Sequence, residues 1–466
     1  MNILMYVVSA LAVILVIYML IKKADIIITL FGVGLLLLYI AILMGNKVSE
    51  TNGILAPFQV VIDSFKSILP RAGFIILILG GYTAYMSAIG ANDVTVHALT
   101  SPLKKIRSSY ILVPIVFLLG NLLSLVIPSA SNLAIILLAT LYPVLKKAGM
   151  STLTAAAVIA TTATVMPTPL GGDNVAIALE LAKYPKYFGL TTAEYVFKYH
   201  ALVSIPTLLV MALVHYFWQR YMDRRGRMEG NKSAEVEVDT SKSVHIEGGY
   251  LYKTVYALLP IFPIIILLVS YFANTFGGSE LQISVEMAVI ISFIVALVCD
   301  LIYKRSAHKA MKETGAFFKG MGSAFGIVVL LVAATVFVEG LKNIGLISNL
   351  QDVMKTTSTY GFILPLILVL LTALIVILSG SGTALFYAMV PLMYGLAAAA
   401  GISAIAVTVP MGLAGNLLRA VSPVSAVVVI VAGATKLSPI EIVKRTSIPM
   451  IVGVIFMFIL SMILFL

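Results

Sequence analysis

Arg419 and Asp173 each lie inside an otherwise apolar run, in AGNLLRAVSPVS (414–425) and TTATVMPTPLGGDN (161–174). A charge among apolar neighbours at membrane depth is costly and marks a functional candidate. A guanidinium can grip a carboxylate through two parallel hydrogen bonds. A carboxylate near it can hold a proton or a cation, or can form a structural ion pair with the arginine. Both runs are also broken. Pro167, Pro169 and Pro423 remove backbone donors, and Gly171 and Gly172 loosen the first run further. A break of this kind frees carbonyls and exposes helix N-termini, whose unpaired amides and dipole favour anions. Thr168, Asn174, Asn416, Ser422 and Ser425 are the other polar side chains at the breaks.

Two further stretches are short and polar between apolar arms: PSASN (Pro128–Asn132) and SGSGT (Ser379–Thr383). Ser129, Ser131 and Asn132 in the first, and Ser379, Ser381 and Thr383 in the second, can cap the helix that follows and bring its amides close to an anion. Two opposed positive helix ends suit a small anion with two negative groups. Serine, threonine and glycine also mediate close helix packing, and one such motif alone would be read that way. Four in matching places favour a binding site. Asp173 and Asn174 are the candidates for a coupling proton or cation, with Asp173 equally readable as a partner of Arg419. No catalytic or metal-ligating set is expected. His97, His200, His215, His245 and His308 have no metal spacing, and most read as interfacial or loop-borne. Glu180 and Glu339 are placed near the membrane surface. The lone Cys299 excludes an internal disulfide and a cysteine metal cluster.

The elements that must position these residues follow from composition. The chain has 466 residues, 61% of them hydrophobic and 11% charged, with mean hydropathy +1.07. Globular domains carry about 25% charged residues, so this is an integral membrane protein. Continuous rather than alternating apolar runs favour helices over a β-barrel. Spans are expected near 3–21, 25–44, 72–90, 151–182, 198–219, 254–273, 281–303, 321–341, 402–435 and 446–466. The first ends in Lys22 and Lys23 without a cleavage pattern, so it reads as a retained helix. Residues 51–70 and 304–320 read as amphipathic surface helices. Residues 220–253 form the long polar segment, opening with Arg220, Arg224, Arg225 and Arg227, and read as a cytoplasmic linker. The net charge of +11 is then cytoplasmic loop charge rather than a nucleic-acid surface.

The arms around PSASN are short for full spans and carry Lys or Arg at both outer ends, which suits a re-entrant hairpin over about 110–147. The arms around SGSGT form a second, over about 360–400, entering from the other side. LYPVLKKAGMS (141–151) aligns with MYGLAAAAGIS (393–403): Tyr142 with Tyr394, Gly149 with Gly401, Ser151 with Ser403, and likewise Ser129 with Ser381, all 252 positions apart. Five spans and a hairpin per half is an odd number of crossings, so two such halves point in opposite directions. The expected fold is an all-α polytopic membrane protein of two inverted repeats. Residues 1–219 carry the first hairpin and a broken helix at 151–182. Residues 254–466 carry the second hairpin and a broken helix at 402–435.

Several blocks also resemble a known family. SGSGTALFYAMVPLM (379–393), NLLRAVSPVSAVVVIVAG (416–433), LSPIEIVKRTSIPMIVG (437–453), GGYTAYMSAIGANDVTV (80–96) and HYFWQRYMD (215–223) resemble the DcuC family of anaerobic C4-dicarboxylate carriers, within the ion transporter superfamily. The likeness is more specific in the last ~90 residues than at PSASN and PTPLGGDN. It implies a scaffold and a transport domain moving by an elevator mechanism, a homodimer in the inner membrane, and succinate export or exchange for fumarate. It also implies that the hairpin tips and breaks bear the ligands: Pro128–Asn132, Thr168–Asn174, Ser379–Thr383 and Asn416–Ser425. The partners expected are a small dicarboxylate and membrane lipid, with no nucleic acid. The expected cofactor list is empty apart from Na+ or H+ as a coupling ion. The departure in the first half leaves another carboxylate or an amino acid open as substrate. A channel is a weaker reading, since inverted half-helices and an internal arginine point to a carrier. An intramembrane protease is weaker still, because Leu170 stands where a G-x-G-D motif needs glycine.

Overall fold

A computed structural model describes residues 2–22, 24–49, 53–106, 108–127, 129–163, 167–228, 249–276, 283–346 and 361–466. Among these, regular structure is entirely helical. That is what a solvent without hydrogen-bonding groups demands, because a helix satisfies its backbone within one segment. Seven helices are long and apolar enough to cross a membrane: Ile26–Leu43, Thr192–Gly226, Tyr250–Phe276, Val285–Lys304, Ala307–Asn343, Ile405–Thr435 and Pro439–Phe465. An eighth candidate, Gly53–Ala88, bends by 71° into Ala91–Leu103.

The helices fall into two packed groups. In the first, Gly315–Asn343 lies against both Ile26–Leu43 and Phe74–Ala88. The crossing of Gly315–Asn343 with Phe74–Ala88 is backbone-close: a Cβ on Gly320 would stand 2.4 Å from the carbonyl oxygen of Gly80 and 2.5 Å from the Cβ of Ala84. Small residues allow this approach where lipid offers no hydrophobic drive for helix association. In the second group, Pro439–Phe465 packs on Ala201–Met228, Ile405–Leu418 and Thr152–Ala160, and Ala201–Met228 also packs on Ser109–Ser124. The groups meet where Gly315–Asn343 touches Thr383–Ala399, and where Phe74–Ala88 touches Gly172–Leu181.

Among the described residues, five apolar helices are shorter than a span: Met5–Ile21, in the expected first span, and two pairs, Ser109–Ser124 with Ala130–Thr140 and Ile363–Ser379 with Thr383–Ala399. The pairs fall in the two segments read as hairpins, starting at Ser109 and Ile363 against expected starts of about 110 and 360. Each second arm crosses to the other half of the chain: Ala130–Thr140 packs on Ala426–Thr435, and Thr383–Ala399 on Gly172–Leu181. Both broken helices are broken. The first divides into Thr152–Ala160 and Gly172–Leu181, and the second into Ile405–Leu418, a 3-10 turn at Arg419–Val421, and Ala426–Thr435. Pro128 of the first tip and Thr164–Met166 of the first break lie outside the described residues.

Some boundaries differ from expectation. Residues 56–68 do not stop as a separate surface helix. They run through a π-helical turn, Leu69–Gly73, into Phe74–Ala88. A π-turn accommodates Pro70, which has no amide to donate. Likewise Ala307–Glu313 leads straight into Gly315–Asn343. The helix from Ala201 continues to Met228, so the Arg-rich start of the presumed linker is helical, while 229–248 lies outside the described residues. Arg220 donates to the hydroxyl of Tyr216 at 3.1 Å.

One charged cluster was not anticipated at all. Arg445, in the block LSPIEIVKRTSIPMIVG, and Asp223, within the residues read as a linker, form a buried ion pair at 2.7 Å with side-chain exposures of 7% and 8%. Asp223 also accepts from the hydroxyls of Ser151 (2.9 Å) and Thr154 (3.0 Å), and the Arg445 carbonyl accepts from Gln219 at 2.9 Å. The cluster ties Ala201–Met228 to Pro439–Phe465 and to the start of the first broken helix. Removing one partner leaves the other charge buried and unpaired, at a cost of roughly 3–5 kcal/mol. Arg445→Ala is therefore expected to lower the unfolding midpoint in detergent sharply, and adding Asp223→Asn should recover part of the loss. A single variant as stable as the parent would show that the pair contributes nothing to the fold.

Candidate functional site

The two breaks and both hairpin tips come together. Where the helix groups meet there is a cavity of about 660 Å³, lined from one side by Ile76, Leu79, Gly80, Thr83, Ala84 and Ser87 of Phe74–Ala88 and by Gly320, Ser323, Ala324 and Ile327 of Gly315–Asn343. The other side is built from Ser129 and Asn132 of the first tip, Leu170–Asp173 of the first break, Gly382 and Thr383 of the second tip, and Gly415, Asn416 and Arg419 of the second break. Three helix N-termini reach it: those of Ala130–Thr140, Gly172–Leu181 and Thr383–Ala399. The helices at Gly172 and Thr383 start from glycine N-caps that offer no side chain to their first amides. Among the lining residues Arg419 is the one cation and Asp173 the one anion. A site with three positive helix ends and a guanidinium against a single carboxylate attracts anions.

The charged pair is not in direct contact. Asn416 stands between: its Nδ2 donates to Asp173 Oδ2 at 3.1 Å, and its Oδ1 accepts from Arg419 Nη2. Asp173 Oδ1 accepts from the backbone N–H of Asn174 at 3.0 Å. The direct Asp173–Arg419 ion pair raised by the sequence is thus replaced by a bridged one. Asn416 uses both ends of its amide within the protein, so it acts by holding its neighbours.

Of the other expected residues, Ser129, Asn132 and Thr383 line the cavity with Arg419 and Asp173. The remainder hold the frame, and their hydroxyls are not among the lining groups. Thr168 is buried. Its carbonyl accepts from Asn174 Nδ2 at 3.0 Å and its hydroxyl accepts from Leu170 N–H at 3.2 Å, so Thr168 and Asn174 shape the first break. Ser379 donates to the Ile375 carbonyl at 2.7 Å and accepts from Ser381 N–H at 3.3 Å, closing the second tip on itself. Ser381 is exposed, and its hydroxyl accepts from Thr383 N–H at 3.4 Å. Ser422 donates to the Ile377 carbonyl at 2.8 Å, linking the second break to the second hairpin. Ser425 caps Val428 N–H at 3.4 Å. Ser131 is half-buried on the first hairpin's second arm, off the cavity. Thr446 donates at 2.6 Å to the Ala420 carbonyl that the second break frees.

Sequence reasoning missed the opposite wall. Thr83, Ser87 and Ser323 face the cavity from intact helices, where no break or charge signals them. Their hydroxyls donate to carbonyls one turn back, at 3.0, 3.1 and 3.1 Å, which leaves only acceptor lone pairs for the cavity. Phe386 and Tyr387 also line it. Their signal was their place one turn after Thr383, on the arm that follows the tip. His200 and His215 are buried, not interfacial. They sit away from the cavity, with the His215 ring 4.9 Å from that of Phe117. Among the described residues no group of three or more His, Cys, Asp or Glu has metal-holding geometry.

The family model for the DcuC C4-dicarboxylate anaerobic carrier matches residues 1–466. The anaerobic C4-dicarboxylate transporter DcuC of Escherichia coli K12 is 35% identical over 433 residues, covering 91% of this chain and 89% of that protein. A probable anaerobic C4-dicarboxylate transporter DcuC of Vibrio cholerae serotype O1 is 37% identical over 454 residues, covering 95% and 93%. Among solved structures, MtrF of Neisseria gonorrhoeae, described as one of a class of antimetabolite efflux pumps, superposes with TM-score 0.69 at 13% identity, covering 94% of this chain and 95% of its own. The YdaH transporter of Alcanivorax borkumensis, described as having an unusual topology, superposes with TM-score 0.66 at 15% identity, covering 92% and 96%. At those identities the structures speak for the fold.

The second tip offers a direct test of how tightly the site is framed. Gly380 has φ +82°, and a Cβ there would stand 2.7 Å from the Val424 carbonyl oxygen. Gly433 has nothing within 4 Å. A left-handed backbone costs a non-glycine residue roughly 1–2 kcal/mol before that collision is counted. Gly380→Ala is expected to lower the unfolding midpoint in detergent and to separate the tip from the second break. Gly433→Ala, in a helix, should leave the midpoint equal or slightly higher. Equal midpoints for parent and Gly380→Ala would show that the tip is not pinned.

Proposed function

This chain belongs to the DcuC family of C4-dicarboxylate anaerobic carriers, and on that premise we propose that it is a secondary transporter of C4-dicarboxylates, exporting succinate or exchanging it for fumarate. A carrier of this family is a multi-pass inner-membrane protein and not an enzyme. The observation that supports the substrate class is the cavity itself: three helix N-termini and the Arg419 guanidinium converge on a space of about 660 Å³ that holds one carboxylate of its own. A dianion of four carbons can place one carboxylate on Arg419 and the other against the positive N-termini of the helices that open at Ala130 and Thr383. Buried charge of one sign that outweighs the other is costly until a ligand neutralises it, so an anion belongs there.

The division of the walls supports an elevator mechanism. Nearly all the donors lie on the group with the hairpins and breaks, which would be the transport domain. Phe74–Ala88 and Gly315–Asn343 offer small residues and hydroxyl lone pairs and would be the fixed scaffold. A dianion is held by one side and slips past the other. On the positive-inside orientation, the lining of Gly315–Asn343 lies in its cytoplasmic half and that of Phe74–Ala88 runs toward its cytoplasmic end, so the arrangement is the inward-facing one. The reciprocal packing of each second hairpin arm on the opposite broken helix supports the inverted repeat. Asp173 is the residue for a coupling proton or cation.

Arg419 is the residue to test. In proteoliposomes the parent should show saturable succinate uptake stimulated by internal fumarate. Loss of a hydrogen-bonded charge costs about 1.5–3 kcal/mol, so Arg419→Ala should bind succinate roughly 10- to 100-fold more weakly and transport it below detection, with Arg419→Lys in between. Parental transport by Arg419→Ala would remove it from the site. Saturable uptake confined to monocarboxylates or amino acids would overturn the substrate class.

A further inference from the structure

The bridge between Asp173 and Arg419 has a directional property. An ionised carboxylate can only accept a hydrogen bond, and a guanidinium can only donate. The amide between them therefore has one orientation that satisfies both, Nδ2 toward Asp173 and Oδ1 toward Arg419, and the structure has it. A proton on Asp173 Oδ2 reverses one end of this chain. The carboxyl now has a proton to donate, and the acceptor in reach is Asn416 Oδ1. If the amide turns to accept it, Nδ2 faces Arg419, and two donors meet. The guanidinium is then released toward the cavity, without the carboxylate that had offset its charge.

We infer that Asn416 is a positioning residue that couples a proton on Asp173 to the availability of Arg419 for a substrate anion, so that proton and anion bind together. The inference rests on the reading of the cavity as an anion site. The other groups around Asp173 do not duplicate the switch. Tyr387, on Thr383–Ala399, faces the turn, with its hydroxyl 3.0 Å from where a Cβ on Gly172 would lie. Tyr195, which ends the short helix Thr192–Tyr195 after Gly172–Leu181, is buried and near enough to feel the Asp173 charge. Phe74–Ala88 presents only Thr83 and Ser87 as polar groups to the cavity. Arg71, from Leu69–Gly73, lies with Glu180 and Lys183 around a separate small pocket at the other end of the Asp173 helix. Among the described residues, Arg419 is the one cation lining the cavity with the carboxylate, and Asn416 is the one side chain bonded to both.

The test is titration calorimetry on the full chain in detergent, between about pH 6 and 8, in buffers of different ionisation enthalpy, without sodium and then with it. The parent is expected to take up close to one proton per succinate bound, with affinity rising as pH falls, by at most about tenfold per pH unit for one linked proton. Asp173→Asn should bind with no proton uptake and a flat profile, which also controls for titration of succinate itself. Asn416→Leu should keep Arg419 but lose most of the proton uptake and the slope. Asn416→Ala carries the same expectation if the leucine variant does not run as a single species on size exclusion. Full parental proton uptake and slope in either Asn416 variant would overturn the coupling, as would binding that follows sodium and takes up no proton. The same proteins are titrated with glutamate and citrate. If succinate is silent and one of these binds, the dicarboxylate reading falls, and the coupling is judged on that anion by the same criteria. Failure of all three anions with the parent overturns both.

Discussion

A helix cannot be broken in hydrocarbon unless something answers its freed backbone groups. That constraint governs this molecule. Four segments give up helical structure near the same level, and each is answered from within the fold. Ser379 closes the second tip, Ser422 and Thr446 take carbonyls around the second break, and Asn174 and Thr168 brace the first. Three of the helix N-termini created by the tips and breaks face one cavity. Their positive ends are thus gathered in a single place, which favours an anion.

The packing that encloses this place is made of small residues on one side and of long cross-chain contacts on the other. Gly80 and Gly320 bring two intact helices together at the distance of backbone contact. Opposite them, each hairpin is held by the broken helix of the other half of the chain. The Arg445–Asp223 pair fastens the outer end of that second group, joining its two longest helices to the start of the first break. In the proposed elevator mechanism this internal ion pair and cross-bracing would let the second group move as a unit, and a wall whose hydroxyls already donate to their own helices would not hold an anion back.

Much of the site was legible because breaking a membrane helix needs conspicuous residues. Proline, paired glycines and a charge in an apolar run announced both breaks, and SGSGT and the polar turn before Leu133 announced the tips. Arg419, Asp173, Ser129, Asn132 and Thr383 were named and do line the cavity. The hydroxyls of Ser379, Ser422, Ser425 and Thr168, expected as ligands, hydrogen-bond within the fold and are not among the groups lining the cavity. A serine that caps a helix and one that meets a ligand have the same letter and the same neighbours. The pairing of Asp223 with Arg445 escaped notice for a related reason. A charge near a span end looks solvated in sequence, and only a partner 222 positions away takes it out of water.

The sequence by itself determined the all-helical membrane class, the two hairpins and two breaks, and the family, because these rest on local properties: the length of an apolar run, a missing amide donor, a contiguous motif. Tertiary structure alone decided which polar groups face one another. It placed Asn416 between Asp173 and Arg419, turned Thr83, Ser87 and Ser323 into the opposite wall, and separated hydroxyls that line the cavity from those bonded within the fold. Hydrogen-bond partners are chosen by position and direction in space, and residues 243 apart in the chain carry no local mark that they will meet.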